Sequence, residues 1–163
     1  MRTSATRRPD ARGARRGAPH LALDVQYAVS RKGLPAPSTL KRWAGAALER
    51  DVVATLRFAG LAEGRTLNAL YRGMDHATNV LTFVYDGTVP LAGDIVLCVP
   101  VLKHEAKAGG RSLRAHMAHL VVHGMLHLQG HDHARPREAA RMEALETELL
   151  AALGFPDPYP PAH

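Results

Sequence analysis

The eleven residues HGMLHLQGHDH, 123 to 133, hold four histidines, two glycines and an aspartate. In an α-helix, positions i and i+4 share a face, so His123 and His127 can offer two ring nitrogens to one cation. Gly130, three residues after His127, suits the left-handed conformation that ends a helix and turns the chain back. The returning loop then delivers a third imidazole. His131 and His133 compete for that place, and the HxxxHxxGxxH spacing favours His133. Three imidazoles with one open coordination position are the ligand set of a catalytic zinc site. Asp132, between the two candidates, reads either as an acceptor that orients an imidazole or as a turn residue.

The spacing resembles that of the metzincin peptidases, with glycine at the turn between the second and third ligands. Zincin peptidases carry glutamate directly after the first histidine, as general base; here that residue is Gly124. A peptidase reading therefore loses its proton acceptor while the metal site survives. His116 and His119 lie seven and four residues before His123 on the same helical face, and read as satisfied core or supporting histidines. Leu113, Met117, Leu120, Val121 and Leu128 form the opposite, core-facing stripe.

These histidines need a scaffold. LALDVQYAV alternates as a strand with one buried face, KGLPAPS breaks it, and Ser38 is placed to cap a helix running to about Arg50 with Leu40, Trp43, Ala47 and Leu48 inward. DVVATLRF reads as a second strand and RTLNALYR as a short helix; NVLTFVY and DIVLCV are two further strands around DGTVPLAG. Three helices follow: VLKHEAKA, ended by Gly109–Gly110; Ser112 to about Gln129; and Pro136 to Leu153, with Gly154 just beyond. The expected fold is α+β, a single domain with a mixed, mostly parallel four-stranded sheet packed by about five helices, one of them a zincin-like histidine helix. FPDPYPPAH is proline-rich and reads as an irregular tail, so the domain is placed at 20–155 between a disordered basic tail, 1–19, and the tail 156–163.

The net charge of +6 is unevenly spread. Residues 1–19 hold six arginines against Asp10, and residues 20–163 hold 15 basic against 14 acidic side chains, so the body is nearly neutral. A polyanionic partner must therefore be met by a local patch. Lys103, Lys107, Arg111 and Arg114, just before the histidine helix, are one such group. No pair of exposed aromatics marking a base-stacking platform is evident. The single cysteine, Cys98, sits in the apolar run IVLCV and reads as a buried thiol, consistent with a reducing compartment. No apolar run reaches the roughly 20 residues that cross a bilayer, and the chain reads as a cytoplasmic protein with no membrane partner.

MAHLVVHGMLHLQGHDH, YRGMDHATNVLTF, LAGDIVLC and MEALETELLAALGFPDPY together resemble, in order from about Leu21 to Tyr159, the YbeY family of bacterial endoribonucleases. The resemblance implies one Zn2+ per chain held by His123, His127 and His133, and hydrolytic cleavage of single-stranded RNA. It also implies action on rRNA and ribosomal particles in 16S rRNA 3′-end maturation and ribosome quality control. It makes Arg72, in the YRG segment, a catalytic residue beside the three histidines; a guanidinium there can bind a phosphate bidentately and stabilise developing charge. Two other readings stand beside it: a ribosome-assembly binding module with a structural metal, and a metallopeptidase-like hydrolase.

Overall fold

A computed structural model describes residues 17–87 and 89–160. Residues 1–16, most of the basic tail, lie outside the described residues. In chain order the elements are β1 (Leu21–Tyr27), α1 (Pro37–Ala46), β2 (Val52–Ala59), α2 (Leu61–Arg72), β3 (Val80–Tyr85), β4 (Leu91–Cys98), α3 (Val99–Ala108), α4 (Leu113–Leu128) and α5 (Pro136–Ala152). The sheet order is β1-β2-β4-β3, with β1, β2 and β4 parallel and β3 antiparallel on the edge. The expected α+β, mostly parallel four-stranded sheet with five helices is what forms. No described helix is long and apolar enough to cross a membrane.

Alternation along the strands divides the apolar residues between two layers. On one face Leu56, Phe58, Ile95 and Leu97 meet Leu40 and Trp43 of α1 and Met117, Val121 and Met125 of α4 in the main core. On the other, Leu81 and Val96 with Ala59 make a smaller cluster, against which Leu67 of α2 and Phe83 of β3 pack. α4 carries eleven buried residues out of sixteen, because it crosses the sheet centrally with neighbours on several sides. Its closeness to the sheet explains Gly124: a Cβ there would lie 3.0 Å from Ile95 Cγ2. The position that carries the peptidase glutamate thus abuts the sheet, and the proton acceptor of the zincins has no room.

Two local expectations fail. Ser38 does not cap α1; the cap is Ala36, with Pro37 at the first helical position supplying the preset φ instead of a side-chain hydrogen bond. α1 also stops at Ala46 rather than near Arg50. Gln129, buried at the end of α4, accepts from the Glu49 and Arg50 amides at 2.7 and 3.2 Å and donates to the Ala47 carbonyl at 2.8 Å. Those backbone groups therefore find partners outside a helix, and the turn after α1 is stapled to the end of the histidine helix.

Candidate metal centre

The glycine turn works as the spacing predicts. Gly130 has φ +105°, its N–H donates to the His127 carbonyl at 3.0 Å, and the His131 N–H donates to the Leu126 carbonyl at 3.0 Å. These are the paired bonds of a Schellman motif, which satisfies the last carbonyls of α4 and reverses the chain. His133 is brought back over the helix: its ring centroid lies 5.5 Å from that of His123 and 6.0 Å from that of His127, and the latter two rings are parallel to within 3° at 6.5 Å. His131 points elsewhere, its Nε2 lying 2.9 Å from both carboxylate oxygens of Glu49. Asp132 closes the loop by accepting from the His133 and Ala134 amides at 2.7 and 3.1 Å, and its carboxylate also lies beside ring nitrogens of His127 and His133. Alanine at 130 would be strained at this φ by about 1–2 kcal/mol. Gly130→Ala should therefore melt a few degrees lower in a thermal scan and bind metal more weakly in a titration, because His133 no longer returns in register.

Behind the three rings lies a carboxylate. Glu146 of α5 is fully buried, and its Oε2 accepts from His123 Nδ1 at 2.6 Å while Oε1 accepts from His119 Nε2 at 2.8 Å and from the Tyr159 hydroxyl. The carboxylate fixes the His123 tautomer with the proton on Nδ1, which leaves the Nε2 lone pair for a cation. Burial drives the Glu146 pKa upward, but the hydrogen bonds from His119, His123 and Tyr159 outweigh it and hold the group at about 2. Burial, then the neighbouring His123 and His133, push His127 below the usual histidine range, so its ring is neutral and able to ligate at neutral pH. The buried Nδ1 of His127 has no hydrogen-bond partner. Three convergent imidazoles, one of them oriented by a carboxylate, fit a borderline divalent cation.

The rings open on a cleft of about 590 Å³. It is lined by His123, His127 and His133, by Thr78 and Asn79 with Val80 to Phe83 of edge strand β3, and by Tyr71 and Arg72 at the end of α2. Among the described residues no aspartate or glutamate lines it. Arg72 is exposed, and among the described residues no carboxylate pairs with it.

A family model described as Endoribonuclease YbeY matches residues 38–154. The curated Endoribonuclease YbeY of Aromatoleum aromaticum is 58% identical over 142 residues, covering 85% of this chain and 92% of that protein. The Endoribonuclease YbeY of Nitrosomonas eutropha is 49% identical over 137 residues, covering 84% and 97%. This chain belongs to the YbeY family. The solution structure of TM1509 from Thermotoga maritima, 20% identical, shares the fold at a TM-score of 0.52 over 81% of this chain and 91% of that one.

Within the span that matches the YbeY model lie all four expected site residues, His123, His127, His133 and Arg72, and the structure brings them to one cleft. Glu146 also lies in that span but is absent from the sequence expectations. Its signal is visible in retrospect: it sits four residues after Met142 and four before Leu150, both buried, so a carboxylate interrupts an apolar stripe and must find partners. Tyr159, beyond the matched span, belongs to the proline-rich tail, where Pro158 is buried and its carbonyl accepts from Arg111 at 3.1 Å. His116 pairs with Glu105 at 2.8 Å. None of Lys103, Lys107, Arg111 and Arg114 lines the cleft; Arg114 instead lies over the Trp43 ring at 5.1 Å.

Proposed function

We propose that the chain is a metal-dependent endoribonuclease acting on single-stranded RNA, with His123, His127 and His133 holding one divalent ion and Arg72 engaging the scissile phosphate. The observation that carries this reading is the convergence of three imidazoles in a cleft that Arg72 also lines, with no carboxylate among the described lining residues and none paired with that arginine. Among the described residues that line the cleft, a polyanion meets no carboxylate; Asp132 lies beside the His127 and His133 rings but outside that lining. When bound, the metal supplies Lewis-acid stabilisation of charge developing on the phosphodiester. Ligand type favours zinc. The Arg72 guanidinium binds two phosphate oxygens and stabilises the same charge, while Glu146 keeps His123 presenting Nε2. The curated relatives carry the endoribonuclease name, and the activity fits maturation of the 16S rRNA 3′ end on ribosomal particles in the cytoplasm and quality control of those particles. Gly124 weighs against the peptidase reading.

The test uses purified full-length protein, elemental analysis and end-labelled single-stranded and duplex RNA. Close to one zinc per chain is expected, with cleavage of the single strand abolished by chelation and restored by zinc. Arg72→Ala should retain the metal and slow cleavage by roughly 10²–10³, the usual loss for one charge-stabilising donor. Cleavage at the full rate by chelated protein would refute the assignment.

A further inference from the structure

The cleft holds one feature that metal and arginine do not use. Tyr71, directly before Arg72, is 63% exposed, and its ring meets Phe83 at a centroid distance of 4.9 Å and an interplanar angle of 65°. Both rings line the cleft that the histidines line. Phe83 is partly buried, so this is one exposed ring braced by a second and not the pair of exposed aromatics the sequence was searched for. The two residues are 12 apart in sequence and come together only because α2 packs over the face of the sheet that carries Leu81 and Phe83. Phe83 is seated in that small apolar cluster and props the tyrosine from the side. Tyr71 is thus a ring braced by one neighbour yet mostly open to solvent.

Resting on the endoribonuclease reading, we propose that Tyr71, propped by Phe83, is the stacking platform for an unpaired base next to the phosphate that Arg72 holds. Sequence adjacency places the ring and the guanidinium at the same end of α2, as base and phosphate are adjacent in a nucleotide. The absence of carboxylates among the described lining residues suits the polyanionic strand. A base inside a duplex has both faces covered by its neighbours, so only an unpaired or splayed nucleotide can present a face to Tyr71. The platform therefore selects single strands by the energy of stacking, and it accepts any base, because every base has a π-face.

The experiment measures binding of a short single-stranded RNA carrying one 2-aminopurine to full-length protein with the metal chelated, alongside cleavage kinetics with zinc restored. Wild type should quench the 2-aminopurine on binding. Tyr71→Ala should lose the quenching, bind about tenfold more weakly, raise KM and cut duplex and single strands with a smaller difference between them. Tyr71→Phe should behave as wild type, since the ring and not the hydroxyl acts. Both variants keep an exposed position outside the core, and circular dichroism checks that they fold. Unchanged binding and quenching in Tyr71→Ala, or a Tyr71→Phe variant as impaired as Tyr71→Ala, overturns the platform. Wild-type protein that binds and quenches but never cuts leaves the platform standing and removes the nuclease reading.

Discussion

His123→Ala should lose bound metal and RNA cleavage together. Two imidazoles remain where three converged, and the missing one is the ring whose tautomer Glu146 fixes by a 2.6 Å hydrogen bond. Lewis-acid stabilisation of a transition state is worth several kcal/mol, and each 1.36 kcal/mol is a factor of ten, so cleavage should fall by at least about a thousandfold. The same substitution strands a buried carboxylate oxygen, which costs about 1–3 kcal/mol of stability. A loss of activity alone would thus not separate ligation from folding. His133→Ala separates them, because His133 is exposed and sits on the loop after the Gly130 turn. It should lose metal and activity while the chelated protein melts where wild type does. Elemental analysis, a thermal scan of chelated protein and a cleavage assay read all three quantities. Either variant, freed of metal and cutting at the wild-type rate, would remove the three histidines from the chemistry.

The histidine centre was legible because everything that builds it is local. A helical period puts His123 and His127 on one face, and one glycine with positive φ brings the chain back within six residues. The sheet was legible for a related reason, as β1 and β2 alternate clearly. What escaped reading depends on packing between distant segments. Glu146 lies 23 residues from His123 and 27 from His119, and nothing in the pattern says which groups a buried carboxylate will meet until α5 docks on α4. The Tyr71–Phe83 pair is hidden in the same way: each residue sits within an ordinary helix or strand pattern, and only the approach of α2 to the edge strand makes them a pair. The early end of α1 follows from Gln129, more than 75 residues away, offering its amide to that turn. The basic residues before α4 are a different case, since none of them lines the cleft. Their contacts depend on segments distant in sequence: Arg111 donates to the tail carbonyl of Pro158 and Arg114 lies over Trp43.

Glu146→Ala tests whether that long-range support matters as much as the ligands do. Its removal leaves His119 and Tyr159 without their shared acceptor and His123 without the partner that orients it. Breaking a buried ionic hydrogen-bonded cluster from one side costs about 3–5 kcal/mol, which for a chain of this size lowers the melting temperature by roughly 10 °C. Loss of a carboxylate behind a ligating histidine weakens metal binding by about 10- to 100-fold, less than loss of the ligand itself. Acid should expose the same contribution in metal-free protein. The folded carboxyl titrates at about 2 against an ordinary 4.5, so its stabilisation is complete above the unfolded value and disappears as pH falls from 4.5 toward 2. That difference corresponds to about 3 kcal/mol, close to the cost expected from the substitution. Denaturant melts of chelated wild type and Glu146→Ala between pH 7 and pH 2 should therefore draw together toward the acid end, as the wild-type carboxyl takes up its proton. Curves that stay parallel down to pH 2 would mean that Glu146 supports the site through its shape and not its charge.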